Sequence, residues 1–203
     1  MDSKDSAQQI EQKIVVAFDI CCSTRILEDL HKSENTVIWR NFLAWIENYL
    51  KAKSEELNFS IYKFTGDGWI LLFDPNCPGE DLVGFLQGFC SQFRARYKRR
   101  VEEYLETPPE RSGVTFGIDR GSLVGVIMNN QEEFVGRAIN VACRLQAAIK
   151  DKDKSPQYKA LIAKPLYMST RGSWNALRQA TVRRTLRNIA GGEEVRCVKV
   201  WLL

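Results

Sequence analysis

The chain of 203 residues carries a single histidine, His31, and its six cysteines stand at 21, 22, 77, 90, 143 and 197 with no C-x-x-C spacing. That excludes a Cys/His zinc constellation. No apolar run approaches membrane-spanning length, and the opening MDSKDSAQQIEQK lacks the apolar core of a secretory signal. Reduced thiols in a cytoplasmic protein are the simplest expectation. Charge of one sign is scarcely in excess: 29 Lys and Arg against 25 Asp and Glu leave a net +4, too little to argue for nucleic acid by itself. Repeats and low-complexity tracts are lacking as well. What is there is ordinary globular material, 44% hydrophobic and 10% aromatic, enough for one core that removes roughly 70% of the unfolded chain's surface without disulfide or structural metal. Residues 1–12 read as a disordered lead-in and 13–203 as a single domain.

IVVAFDI (14–20) is a nearly continuous, β-branched apolar run, the pattern of a strand buried on both faces. Residues 34–57 place Val37, Ile38, Phe42, Trp45, Ile46, Tyr49 and Leu50 at spacings of three and four, which predicts a long amphipathic helix. FSIYKF (59–64), TGDG and WILLF (69–73) read as a hairpin, 80 to about 106 as a second helix, VTFGI (114–118) and LVGVIM (123–128) as strands around a DRGS turn, and 134–149 as a third helix. KALIAK, a helix over 165–180, and two strands joined at Gly191–Gly192 complete the pattern. The fold class is α+β: a ferredoxin-like βαββαβ core with an added C-terminal helix and β-hairpin.

In that arrangement the end of the first strand neighbours the hairpin tip, so Asp19 and Asp67 converge. A lone aspartate in a G-D-G turn is ordinary. A carboxylate at the end of a buried strand is not, since it costs several kcal/mol unless paired, hydrogen-bonded or bound to metal. Two converging carboxylates suit hard divalent ions, and two such ions about 4 Å apart can activate a hydroxyl and neutralise a leaving pyrophosphate. Asn140 and Arg144, four apart on one helix face, present an amide beside a guanidinium able to stabilise charge on a transferred phosphoryl group.

FDICCST (18–24), YKFTGDGW (62–69) and EFVGRAINVACRLQ (133–146), in this order, resemble the three signature segments of the class III nucleotidyl cyclase catalytic domain, and the resemblance extends over 13–203. It implies that Asp19, Asp67 and the Ile20 carbonyl hold two Mg²⁺ or Mn²⁺ ions. It further implies that Asn140 orients the ribose of a nucleoside triphosphate and that Arg144 meets its α-phosphate. In the family the aspartates of one subunit meet the Asn and Arg of the other, so the resemblance implies a homodimer with two shared sites; the low net charge and the lack of a long apolar run point away from nucleic acid and membrane as partners. Its base-selecting positions fall on Lys63 and Glu133, while Phe18 and Arg25 join the nucleotide-binding set. Lys63 with Glu133 departs from the family's guanine pair and suits adenine or cytosine, and uracil through O4 and N3–H. Bulky Tyr62, Phe64, Trp69 and Phe134 either narrow the base pocket or belong to the core. The position of a common phosphate-binding arginine falls on Ser122, with Arg25 or Arg120 as substitutes. A small cyclase domain with an atypical base pair resembles the bacterial Pycsar pyrimidine cyclases. That implies cyclic UMP, or cyclic CMP, as an antiphage signal read downstream by a cyclic-nucleotide-sensing effector. Adenylate cyclase and an inactive nucleotide receptor are the alternatives.

Overall fold

The computed structural model describes residues 10–189, 191 and 194–203. Among them eight strands form one mixed sheet: β1 Ile10–Cys21, β2 Phe59–Phe64, β3 Gly68–Phe73, β4 Gly113–Met128, β5 Gln131–Val135, β6 Lys159–Ala163, β7 Gln179–Thr185 and β8 Glu194–Trp201. The order is β2-β3-β1-β4-β6-β8-β7, with β5 paired to β4. The first four strands are antiparallel throughout and carry the expected ferredoxin-like order. β6 then adds parallel to β4, and β7 and β8 close the sheet as the expected hairpin.

The unbroken apolar run of β1 is explained by its two covered faces. Ile14, Val16, Phe18 and Ile20 enter a large core with α2 (Thr36–Leu57) and α3 (Gly79–Arg100), while Val15 and Ala17 pack on the other side with Ala138 and Ala142 of α4 (Arg137–Lys152). β4 follows the same alternation: Val114, Phe116 and Ile118 face the large core, and Thr115, Gly117, Asp119 and Gly121 lie under α4. Gly117 lets that helix come close, because a Cβ there would stand 1.9 Å from the Ala142 carbonyl oxygen and 2.3 Å from the Gln146 nitrogen.

Several elements differ from the sequence pattern. β1 begins at Ile10, three residues inside the expected disordered lead-in, because 10–12 pair with Val124, Leu123 and Ser122; residues 1–9 lie outside the described residues. The DRGS segment is not a turn, since the long β1 supplies partners along β4 from Gly113 to Val124. A short helix, α1 (Ser23–Lys32), precedes α2, its inner side built from Ile26, Asp29 and Leu30. Phe134 belongs to β5, and α4 begins only at Arg137. α3 ends at Arg100, followed by a 3-10 turn Glu102–Tyr104. The helix expected over 165–180 is only α5, Lys164–Ser169, followed by a 3-10 turn at Arg171–Trp174. The strand expected over 181–189 stops at Thr185, where Leu186 and Ile189 turn into a cluster with Val141 and Leu145 of α4. Gly192 of the expected closing turn lies outside the described residues. Among the described residues no helix is long and apolar enough to cross a membrane.

Candidate active site

Asp19 stands on the α4 face of β1, in register with Gly68 on β3 and Thr115 on β4. Gly68 permits this: a Cβ there would lie 2.1 Å from the Phe18 carbonyl oxygen. Next to it, the Ile20 N–H donates to the Asp67 backbone carbonyl at 3.2 Å, so strand end and hairpin tip are joined and the two aspartates come to the same end of the sheet. Both carboxylates are held by side chains. Ser23 Oγ, in the first turn of α1, donates to Asp67 Oδ2. Gln146 Nε2 donates to the buried Thr115 Oγ1 at 2.8 Å and reaches Asp19 Oδ2 at 3.5 Å. Cys22, with φ 61°, makes the corner between β1 and α1, and the orphan amides of the first turn of α1 follow directly after it.

Among the described residues no group of three or more His, Cys, Asp or Glu side chains is placed to hold a metal. Two carboxylates leave most of a coordination shell to water and phosphate oxygens, the donor set that suits Mg²⁺ or Mn²⁺ bound together with a polyphosphate.

The second constellation centres on Glu133 of β5. Its carboxylate accepts from Tyr62 Oη at 2.6 Å and from Lys63 Nζ at 3.0 and 3.1 Å, and Tyr62 Oη in turn accepts the Phe134 N–H at 2.9 Å. Sequence neighbours on a regular strand point to opposite faces. Here β2 shifts register between Ile61 and Lys63, and this bulge lets Tyr62 and Lys63 reach one carboxylate. The Tyr62 hydroxyl, and after it Lys63, hold the Glu133 carboxyl below the usual carboxylate range, while Glu133 pushes Lys63 up. At neutral pH the pair is therefore a pure acceptor beside a pure donor. Tyr62 and Phe134 meet edge-on with ring centroids 5.6 Å apart.

Asn140 and Arg144 lie on α4, exposed and half-buried respectively. At about 100° per residue they sit roughly opposite Ala142, the position that touches β4 at Gly117, and so face away from the sheet that carries Asp19. The structure thus brings Asp19 together with Asp67 and Lys63 together with Glu133, and turns Asn140 and Arg144 outward. Phe18 stacks on Trp69 in the core, so its ring lies on the face opposite Asp19. Trp69 is core too, whereas Phe64 is exposed. Arg25 is exposed on the first turns of α1, at the carboxylate end. Arg120 lines a cavity with 75–80 on the other face and is no substitute there. Sequence reasoning missed Ser23 and Gln146 as holders of the carboxylates, and the anchoring hydroxyl of Tyr62. Gln146 carries a signal in retrospect, a buried-face amide two residues from Arg144; the bulge that recruits Tyr62 left none.

No protein-family model matches the chain, and no curated protein does. Solved structures do. The adenylyl cyclase CyaB from P. aeruginosa superposes with a TM-score of 0.69 at 18% identity, covering 96% of this chain and 95% of that one. The guanylyl cyclase Cya2 gives 0.67 at 14%, covering 95% and 93%. An adenylate cyclase from Trypanosoma brucei, solved in its monomeric state, gives 0.64 at 16%, covering 98% and 94%. At these identities the likeness is one of fold: the chain has the fold of the adenylyl and guanylyl cyclase catalytic domain.

Proposed function

We propose that this chain is a metal-dependent cyclase that converts a nucleoside triphosphate into a 3′,5′-cyclic nucleotide and pyrophosphate. The observation that carries the reading is the pair of aspartates joined at one sheet end and held by Ser23 and Gln146, within a fold shared with cyclases. Asp19 and Asp67 would hold Mg²⁺ or Mn²⁺, with the Ile20 carbonyl as a further ligand. When bound, such ions activate the attacking hydroxyl and take up charge on the departing pyrophosphate. The 3′-oxygen forms a bond to the α-phosphorus as the bond to the β-phosphate oxygen breaks. Arg144 meets the charge that develops on the α-phosphate, Asn140 orients the ribose, and Arg25 reaches the phosphates.

The outward face of Asn140 and Arg144 supports a site completed by a second copy, which also accounts for the apolar surface on the β4–β5 arm. There Ile127 is 74% exposed, Met128 56% and Val135 49%. Mixing Asp67→Ala with Arg144→Ala protein should restore up to one intact site per heterodimer, and an inactive mixture despite proven subunit exchange would refute the shared site.

For the base, an ionised Glu133 beside Lys63 takes an exocyclic amine next to a ring-nitrogen acceptor, as in cytosine and adenine, and takes uracil through N3–H and O4. The contact of Tyr62 with Phe134 beside the pair supports the smaller, pyrimidine ring, and hence cyclic UMP or cyclic CMP. The antiphage role and its downstream effector rest on sequence resemblance alone. They are tested by phage challenge of cells carrying the intact or the Asp67→Ala protein: equal plaque counts would end that reading and leave the cyclase standing.

A further inference from the structure

Asp29 of α1 is buried, and its carboxylate accepts from the Glu106 and Thr107 backbone N–H groups at 3.0 and 2.9 Å and from the Thr107 hydroxyl at 2.7 Å. The segment between α3 and β4 is thereby pinned to the second half of α1. Further along it, the Cys22 thiol donates to the Arg111 carbonyl at 3.9 Å, and Gly113 pairs with Cys21. Residues 107–111 therefore run back along roughly two turns of α1 to its N-terminal corner, stiffened by Pro108 and Pro109. Anchored at Asp29, Cys22 and Cys21, the segment sets Arg111 beside that corner, with its side chain exposed. On the other side of the corner Ser23 holds Asp67 Oδ2. The corner thus stands between a carboxylate suited to a metal ion and an arginine that no ion pair engages among the described residues. Arg25 is exposed three residues beyond Cys22, and the acids nearest in sequence, Glu28 and Glu110, are both exposed.

We propose that Arg111 binds the terminal phosphate of the nucleoside triphosphate, an inference that rests on the cyclase reading of the site. Bonds form and break at the α-phosphorus, beside the carboxylates, so the β- and γ-phosphates lead away past the corner of α1. An arginine set there by an anchored loop meets phosphate oxygens without the cost of ordering its backbone first. It holds the ground state and the transition state alike, so it acts on KM and on inhibition by pyrophosphate and leaves kcat nearly unchanged.

Calorimetric titration of the full chain with inorganic tripolyphosphate in Mn²⁺ buffer tests the contact without requiring turnover, using the wild type, Arg111→Ala and Glu110→Gln. The wild type should bind, Arg111→Ala should bind about tenfold more weakly through loss of charged hydrogen bonds, and Glu110→Gln should bind at least as tightly as the wild type. In the cyclase assay Arg111→Ala should raise KM by a similar factor with little change in kcat. The proposal is overturned by a wild type that does not bind tripolyphosphate or by unchanged affinity in Arg111→Ala. An equal loss in Glu110→Gln also overturns it, because the loop and not the guanidinium would then be responsible. Failure of the cyclase reading looks different: Arg111-dependent tripolyphosphate binding by a chain that cyclises no nucleotide keeps the contact and ends that reading.

Discussion

Replacing Asp119 by Asn should stabilise the protein at neutral pH and leave it unchanged in acid. Asp119 sits in β4 under the first turn of α4, only 4% exposed. Among the described residues its Oδ2 has no hydrogen-bond partner, and Arg137 Nη1 stands 3.8 Å away on a largely exposed side chain. Burial pushes the carboxyl up from 3.8 to about 6, against the opposing pull of the Arg120 backbone N–H and of Arg137. A raised carboxyl binds its proton more tightly in the folded chain than in the unfolded one, so its ionisation destabilises the fold as pH climbs from about 4 to 6. The rise from 3.8 to about 6, at about 1.36 kcal/mol per pH unit, sets a ceiling of about 3 kcal/mol. Asn has nearly the same shape and carries no charge. Denaturant unfolding of both proteins between pH 4 and 8 should show a stability difference near zero at pH 4 that grows through pH 5–6 and levels off above 7, with the variant the more stable. A difference independent of pH, or a variant less stable at pH 7, would refute the reasoning.

Gln146→Ala should leave the hydroxyl of the fully buried Thr115 without its Gln146 partner, costing about 1–3 kcal/mol of stability, and should remove the 3.5 Å contact that Gln146 makes to Asp19. Loss of a group that orients a ligand typically weakens metal binding by roughly 10–100-fold, so the half-saturating Mn²⁺ concentration for activity should rise by that order, read in a metal titration. Tyr62→Phe should raise KM by about tenfold with a smaller effect on kcat, since a charged hydrogen bond to the carboxylate proposed to read the base is lost. It also removes the largest influence holding Glu133 low, so the acidic limb of the pH profile of kcat/KM should move to higher pH. An unmoved limb would show that Tyr62 does not set the state of Glu133.

Much of this was legible in the chain because hydrophobic spacing reports which face is covered. The run at 14–20 announced a strand buried on both sides, and the TGDG hairpin placed Asp67 beside Asp19 through local turn chemistry. What escaped depends on partners distant in sequence. The DRGS segment has the composition of a turn but is held extended by pairing along β1, where Ile14 faces Arg120 and Gln12 faces Ser122. α1 is a ten-residue helix whose buried apolar residues are Ile26 and Leu30, too short a run to stand out in the sequence, and its Asp29 is fixed by the Glu106 and Thr107 backbone N–H groups. The convergence of Tyr62 and Lys63 on Glu133 needs a bulge that no residue type in FSIYKF announces.

The most direct test is incubation of the purified chain with Mn²⁺ and ATP, GTP, CTP or UTP in turn, beside the Asp67→Ala protein, with products identified by mass. A 3′,5′-cyclic nucleotide and pyrophosphate from the intact chain, and none from Asp67→Ala, is the predicted result. Undiminished cyclic product from Asp67→Ala, or no cyclic product from any of the four with the intact chain, would contradict it.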